Sequence, residues 1–189
     1  MAKTTGGEAA RAWADGPARW LLLPDERAAL REVHTSADLA AFLQGFWRRR
    51  DDDPRSPENR LGEVYAQRVA DADRLYQEDG VRGSLSDRGG ALLLLGPPSV
   101  LSYAAKATPT WESRRTPGPR PTRPVRLEIW TYLERDLAPP LRALRERRGA
   151  PTAEVTLSFL IGPRHTRLIE GREVLEQAAC AWARCDAPP

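Results

Sequence analysis

Val125-Arg126-Leu127-Glu128-Ile129-Trp130-Thr131-Tyr132-Leu133 alternates apolar and polar side chains over its first half, which predicts a strand buried on one face. Downstream, Glu154 to Ile161 reads as a second strand, and Gly162-Pro163 turns it into a hairpin partner at His165 to Ile169. Upstream, the apolar run Gly89 to Leu95 reads as a buried strand stopped by Gly96-Pro97-Pro98, with a short strand at Val100 to Tyr103. The expected sheet has four or five strands and includes Gly90–Leu95, Arg126–Leu133 and Glu154–Ile161.

Helices flank these strands. Pro24-Asp25-Glu26 opens one, with proline at the first position and the acids at the positive end of the dipole. Thr35 or Ser36 caps the next, in which Leu39, Phe42, Leu43, Phe46 and Trp47 share a face and Arg48-Arg49-Arg50 closes the end. Ser56-Pro57 is expected to open a third helix, whose Leu61, Val64, Tyr65, Arg68, Val69, Ala72, Leu75 and Tyr76 recur at three and four and which ends near Asp79-Gly80. Leu137 to Arg148 is a basic segment with a short helix, and Arg172 to Arg184 a closing helix with Val174, Leu175, Ala178, Ala179 and Trp182 inward. Helices, then strands, then a helix is the order of an α+β protein with an antiparallel sheet. The expected organisation is a flexible arm at 1–19 and one domain at 20–185, with a Pro/Arg-rich loop at about 104–124.

Composition narrows function less than fold. The 189 residues carry a net charge of +3, and of 29 basic residues only Lys3 and Lys106 are lysines. Arginine pairs well with phosphate, so Arg48–Arg50, Arg114–Arg126 and Arg142–Arg148 support a nucleic-acid-binding accessory role as the alternative reading. The 26 acidic residues are interleaved with the arginines, though, and the wealth of Ala, Arg, Pro and Gly is what a GC-rich genome produces. Met1 to Asp15 has no apolar core of a signal peptide, and no apolar run is long enough to span a membrane, so a cytoplasmic protein without a membrane partner is expected. Cys180 and Cys185 do not match a zinc pair and read as two free thiols.

Phe46-Trp47-Arg48-Arg49-Arg50-Asp51 resembles the F-W-x-x-R-D of GWxTD domain proteins, and Pro54, Pro57 and Asn59 follow at that family's spacing. Tyr65, Arg68, Val69 and Ala72 resemble its Y-x-x-R-I-x-x-A helix, and Gly83-Ser84-Leu85-Ser86-Asp87-Arg88-Gly89 resembles the G-W-x-T-D-R-G signature. Leu95-Gly96-Pro97-Pro98 and Glu128-Ile129-Trp130-Thr131-Tyr132 match its L-G-P-P turn and E-x-W-x-Y strand. The matches run in the family's order from about Trp20 to Tyr132. The signature tryptophan and threonine are replaced by Ser84 and Ser86. The resemblance implies a fold and a helix-then-sheet order; it implies no reaction. Family members are commonly exported, and this chain shows no export signal.

Elementary chemistry gives these residues structural roles. Asp87 suits a carboxylate accepting backbone N–H bonds, and Gly89 and Gly96 suit positive φ or close backbone approach. Trp47 and Trp130 read as core aromatics. Arg50 with Asp51, and Arg68 with Asp87, are candidate ion pairs pinning helices to the sheet. His34 and His165 are the only histidines, and no G-x-S-x-G, phosphate loop or EF-hand spacing accompanies them. No catalytic residue, metal ligand or cofactor is therefore expected, and a hydrolase is the weakest alternative. The leading expectation is a non-catalytic protein-interaction or scaffold module within a multiprotein assembly. Its partner would be another protein, bound through Trp13, Trp111, Arg114 and Arg115 in segments without helical or strand period.

Overall fold

The computed structural model describes residues 5–51, 53, 55, 58–106, 125–150 and 154–184. Its elements are α1 (Gly6–Asp15), α2 (Pro24–Arg31), α3 (Ser36–Arg49), α4 (Arg60–Leu75), α5 (Asp87–Leu95), β1 (Val100–Lys106), β2 (Val125–Leu133), α6 (Pro139–Arg147), β3 (Glu154–Ile161), β4 (Thr166–Glu170) and α7 (Arg172–Trp182). The four strands form one antiparallel sheet in the order β1-β2-β3-β4. The class is α+β, as the order of sequence patterns requires.

The caps follow the sequence. Thr35 Oγ1 accepts the Asp38 N–H at 3.1 Å, and the Asp38 carboxylate accepts the Thr35 N–H at 3.0 Å, closing a capping box at the start of α3. Helix α4 starts later than expected: its cap is Asn59, whose Oδ1 accepts the Gly62 N–H at 2.8 Å. It ends at Leu75 rather than near Gly80. Ser56 and Pro57, the expected start, lie outside the described residues.

The expected strand Gly90–Leu95 is a helix. Ser86 caps α5 through Oγ, which accepts the Gly89 N–H at 3.1 Å, and Gly96 ends it at φ 85°. The reading went wrong because α5 is buried on every side from Gly89 to Leu95. Burial all round erases the 3.6-residue period, and a short apolar run then fits either state. Four consecutive leucines without β-branching tip the local preference to helix. The glycines allow the close packing. A Cβ on Gly89 would sit 1.8 Å from the Gly83 carbonyl oxygen, and one on Gly90 would meet the Trp20 ring at 2.6 Å.

The expected flexible arm is also ordered in part. Glu8 and Thr5 form a capping box at the start of α1, whose Ala10 is buried. Trp13, expected to meet a partner, packs edge-on against Phe42 and Phe46 at centroid distances of 5.9 and 4.9 Å. The period missed in the sequence is short, and α1 is held by what it packs on: Gly6 lies against the Thr35 backbone. The other proposed partner residues, Trp111, Arg114 and Arg115, lie outside the described residues. Ala104 to Lys106, expected in the loop, continue β1 opposite Leu127 to Val125.

Both expected ion pairs are replaced by other contacts. Arg50 pairs with Glu26, Arg68 donates to the Leu93 carbonyl at 3.0 Å, and the Asp87 carboxylate accepts the Leu168 N–H at 2.7 Å. Asp51 instead accepts the Asp53 N–H. Local spacing cannot reveal these partners, because each is at least 24 residues away except Asp53. Cys180 is disulfide-bonded rather than a free thiol. Helix α7 stops at Trp182 and Arg184 turns left-handed at φ 52°, so the helical spacing that separated the two cysteines does not hold beyond it. Cys185 lies outside the described residues.

One core joins the layers. Trp130, Tyr132, Leu157 and Phe159 on the inner sheet face meet Leu92, Leu93 and Ala178 from α5 and α7. Polar clamps fix the layers. Arg88 at the start of α5 bridges Glu128 and Glu78, both at 3.3 Å. Trp130 Nε1 donates to the Glu128 carboxylate at 2.6 Å, and Tyr132 Oη to the Gly96 carbonyl at 3.1 Å.

Candidate functional site

Four helices leave an apolar cleft of about 370 Å³ between them. Helix α4 forms one wall. Its Leu61, Val64 and Arg68 fall at spacings of three and four and so share a face. The end of α5 contributes Leu94 and Leu95, and the entrance to α6 contributes Ala138, Pro139 and Pro140. On α7, Ala178 and Ala181 line the opposite wall. The hollow exists because α7 and α6 present alanines where larger side chains would meet α4. Trp182 lies beside it, held by its indole N–H, which donates to the Leu94 carbonyl at 2.9 Å. Pro139 is at the start of α6, where its fixed φ and missing N–H cost nothing.

Arg68 is the polar feature of this lining. One guanidinium nitrogen donates to the Leu93 carbonyl at 3.0 Å, and the group lies 5.6 Å from the Trp182 ring centroid. Burial lowers its pKa from the ordinary arginine value, and the nearby Tyr132 works in the other direction. Among the described residues no carboxylate lies within ion-pair reach of Arg68. It caps the last carbonyls of α5, whose dipole offsets part of the charge. Nη2 and Nε make no protein hydrogen bond among the described residues. Arg184 adds a second guanidinium to the lining. Such a cleft can hold an apolar group and a carboxylate side by side.

The motif residues noted in the sequence serve mainly to assemble the fold. Asn59 caps α4 and donates to the Trp47 carbonyl at 3.1 Å; Tyr65 Oη donates to the Pro17 carbonyl at 2.6 Å. Phe46 and Trp47 pack edge to face, and Gly83 lies against the Ala72 carbonyl, where a Cβ would approach to 1.9 Å. Gly96, Pro97 and Pro98 carry the chain from α5 towards β1. Arg68 alone of this set also lines the cleft. The basic run Arg48–Arg50 is largely spent inside the fold. Arg50 is fully buried, and Arg49 pairs with Asp25 at 3.1 Å and bonds the Ala183 carbonyl at 3.1 Å. That removes two of three charges from a phosphate-binding surface.

The sequence did not reveal the cleft, because its lining comes from positions 61–68, 94–95, 138–141 and 178–184. The available signal was Val64, an apolar residue on α4 that is 43% exposed. No helix among the described residues is long and apolar enough to cross a membrane. No family model, curated protein or solved structure matches this chain.

Proposed function

We propose that the chain is a non-catalytic interaction module of a multiprotein assembly, which seats in this cleft a partner segment that places an apolar side chain beside a carboxylate. The observation that carries this reading is Arg68, a part-buried cation without a carboxylate partner among the described residues, in the wall of an apolar cleft. A volume of about 370 Å³ lies at the low end of the range for binding pockets, about 300–1000 Å³. It suits one or two side chains, and binding energy at protein interfaces concentrates on such buried anchors. The GWxTD resemblance belongs to the same reading, since the ordered motifs supply the contacts that frame α4 and α5. A cytoplasmic site of action, expected from the sequence, sits against the Cys180 disulfide, because disulfides persist mainly in oxidising compartments. The binding role holds in either compartment.

The test compares wild type with Val64→Glu and Arg68→Met in quantitative co-purification from the native host. Val64 is exposed enough for its replacement to leave the fold intact. Both variants are expected to lose the same partner, with affinity reduced by about 2 kcal/mol, roughly thirtyfold. Unchanged partner recovery in both variants would remove the cleft from consideration. Melting temperature, measured alongside, separates lost binding from lost folding.

A further inference from the structure

We infer that β1 is the surface on which two copies of this chain meet, edge to edge and antiparallel. Strand β1 is terminal in the sheet, and β2 is its one strand partner among the described residues. Its other edge presents a row of unpaired N–H and C=O groups.

The strand is also bare on both faces. Leu101 and Tyr103 stand opposite the buried Trp130 and Glu128, on the side that the helices cover, yet they are 49% and 55% exposed. The helical layer stops short of them. Val100, on the opposite face, is 49% exposed. That face continues into half-buried Leu127 and Ile129 of β2, opposite Ala104 and Ser102.

The two edges of the sheet differ in how they are protected. Strand β4 has five residues, two of them charged (Arg167 and Glu170), and the β3–β4 pairing is interrupted by a register shift between Ser158 and Phe159. Short length, charge and bulges all blunt an edge. Strand β1, Val-Leu-Ser-Tyr-Ala-Ala-Lys, has seven residues, a regular ladder, no proline and no charge before Lys106. Left uncovered, such an edge is an aggregation site; covered by a strand, it is an interface.

Charge selects a second copy as the covering strand. At the start of β1, Ser99 Oγ donates to the exposed Asp136 carboxylate at 2.6 Å. The far end carries Lys106, with Arg126 alongside, its guanidinium 5.3 Å from the Tyr103 ring centroid. Antiparallel pairing about a two-fold axis near Tyr103 sets Val100 of one copy opposite Lys106 of the other. Each acidic end then meets a basic end, twice over, and the sheet becomes continuous across the pair. A parallel arrangement would stack like charges. A two-fold interface needs this kind of self-complementarity.

Sedimentation equilibrium of the full chain over about 1–100 µM, a span that brackets typical homodimer affinities, is the deciding measurement. Wild type is expected at twice 21.0 kDa. The double variant Leu101→Lys/Tyr103→Lys places like charges across the axis and is expected to weaken the dimer roughly a hundredfold. A second pair, Leu101→Ser/Tyr103→Ser, removes apolar area without adding charge and is expected to weaken it less. Circular dichroism confirms folding of each. Amide exchange in β1 reads the same edge directly: protection should appear with rising concentration in wild type alone. A wild-type monomer throughout the range, or a dimer that both variants leave intact, overturns the inference.

Discussion

Replacing Arg50 with methionine is expected to destabilise the protein by about 3–5 kcal/mol, the range for stranding one half of a buried ion pair. Arg50 has 0% of its surface exposed and Glu26 7%. The guanidinium grips the carboxylate through both terminal nitrogens at 2.7 Å, a bidentate geometry that lysine cannot copy. It also donates to the Phe46 carbonyl at 3.0 Å and the Leu21 carbonyl at 2.8 Å, and lies over the Phe46 ring at 3.7 Å. One side chain thus ties the end of α3 to α2 and to the segment before it. Glu26 has a second duty, accepting the Leu23 N–H at 3.0 Å at the start of α2. Removing Arg50 leaves that carboxylate buried beside two orphaned carbonyls. Arg49 offers weak relief at 3.5 Å.

Urea unfolding of Arg50→Met measures the loss directly, and in a domain of this size it corresponds to a fall in melting temperature of about 6–20 °C. The double variant Arg50→Met/Glu26→Met removes both charges and is expected to recover much of the stability. A single-variant loss below about 1 kcal/mol, the usual value of an exposed pair, would contradict the buried network.

Trp130→Ala is expected to cost at least about 3–5 kcal/mol, the range for deleting a large buried aromatic. Trp130 is fully buried and packs on Tyr76 and Phe159 at 5.4 and 5.1 Å. Its loss also strips a 2.6 Å hydrogen bond from Glu128, which is itself buried and shared with Arg88. Trp130→Phe separates the two effects. It keeps most of the ring contact and deletes the donor, so about 1–3 kcal/mol should remain. If Phe proves neutral, the Glu128–Trp130 bond does not hold helix to sheet in the way the geometry indicates.

These two residues show how far a motif can be read. Trp130 was identifiable as a core aromatic because it sits in an alternating segment, where neighbours on one chain report which face is buried. Arg50 was identifiable as a helix-closing cation, and its assignment to Asp51 failed because an adjacent acid is the nearest in sequence but not in space. Trp13 was read as exposed because α1 is short and weakly patterned; its aromatic neighbours come from α3.

The sequence by itself determined the α+β class, the capped starts of α2 and α3, the amphipathic face of α4, the strands β2, β3 and β4, and the closing helix α7. Each of these depends on contacts within a few residues, so spacing, caps and turns encode it locally. The tertiary structure decided the rest. It made Ala91–Leu95 helical, because a segment buried on all sides shows no period to read. It chose Glu26 for Arg50, opened the cleft where alanines of α6 and α7 face α4, and left β1 bare where the helical layer ends. Concavity, exposure and choice of partner are properties of surfaces brought together from distant parts of the chain, and no local pattern contains them.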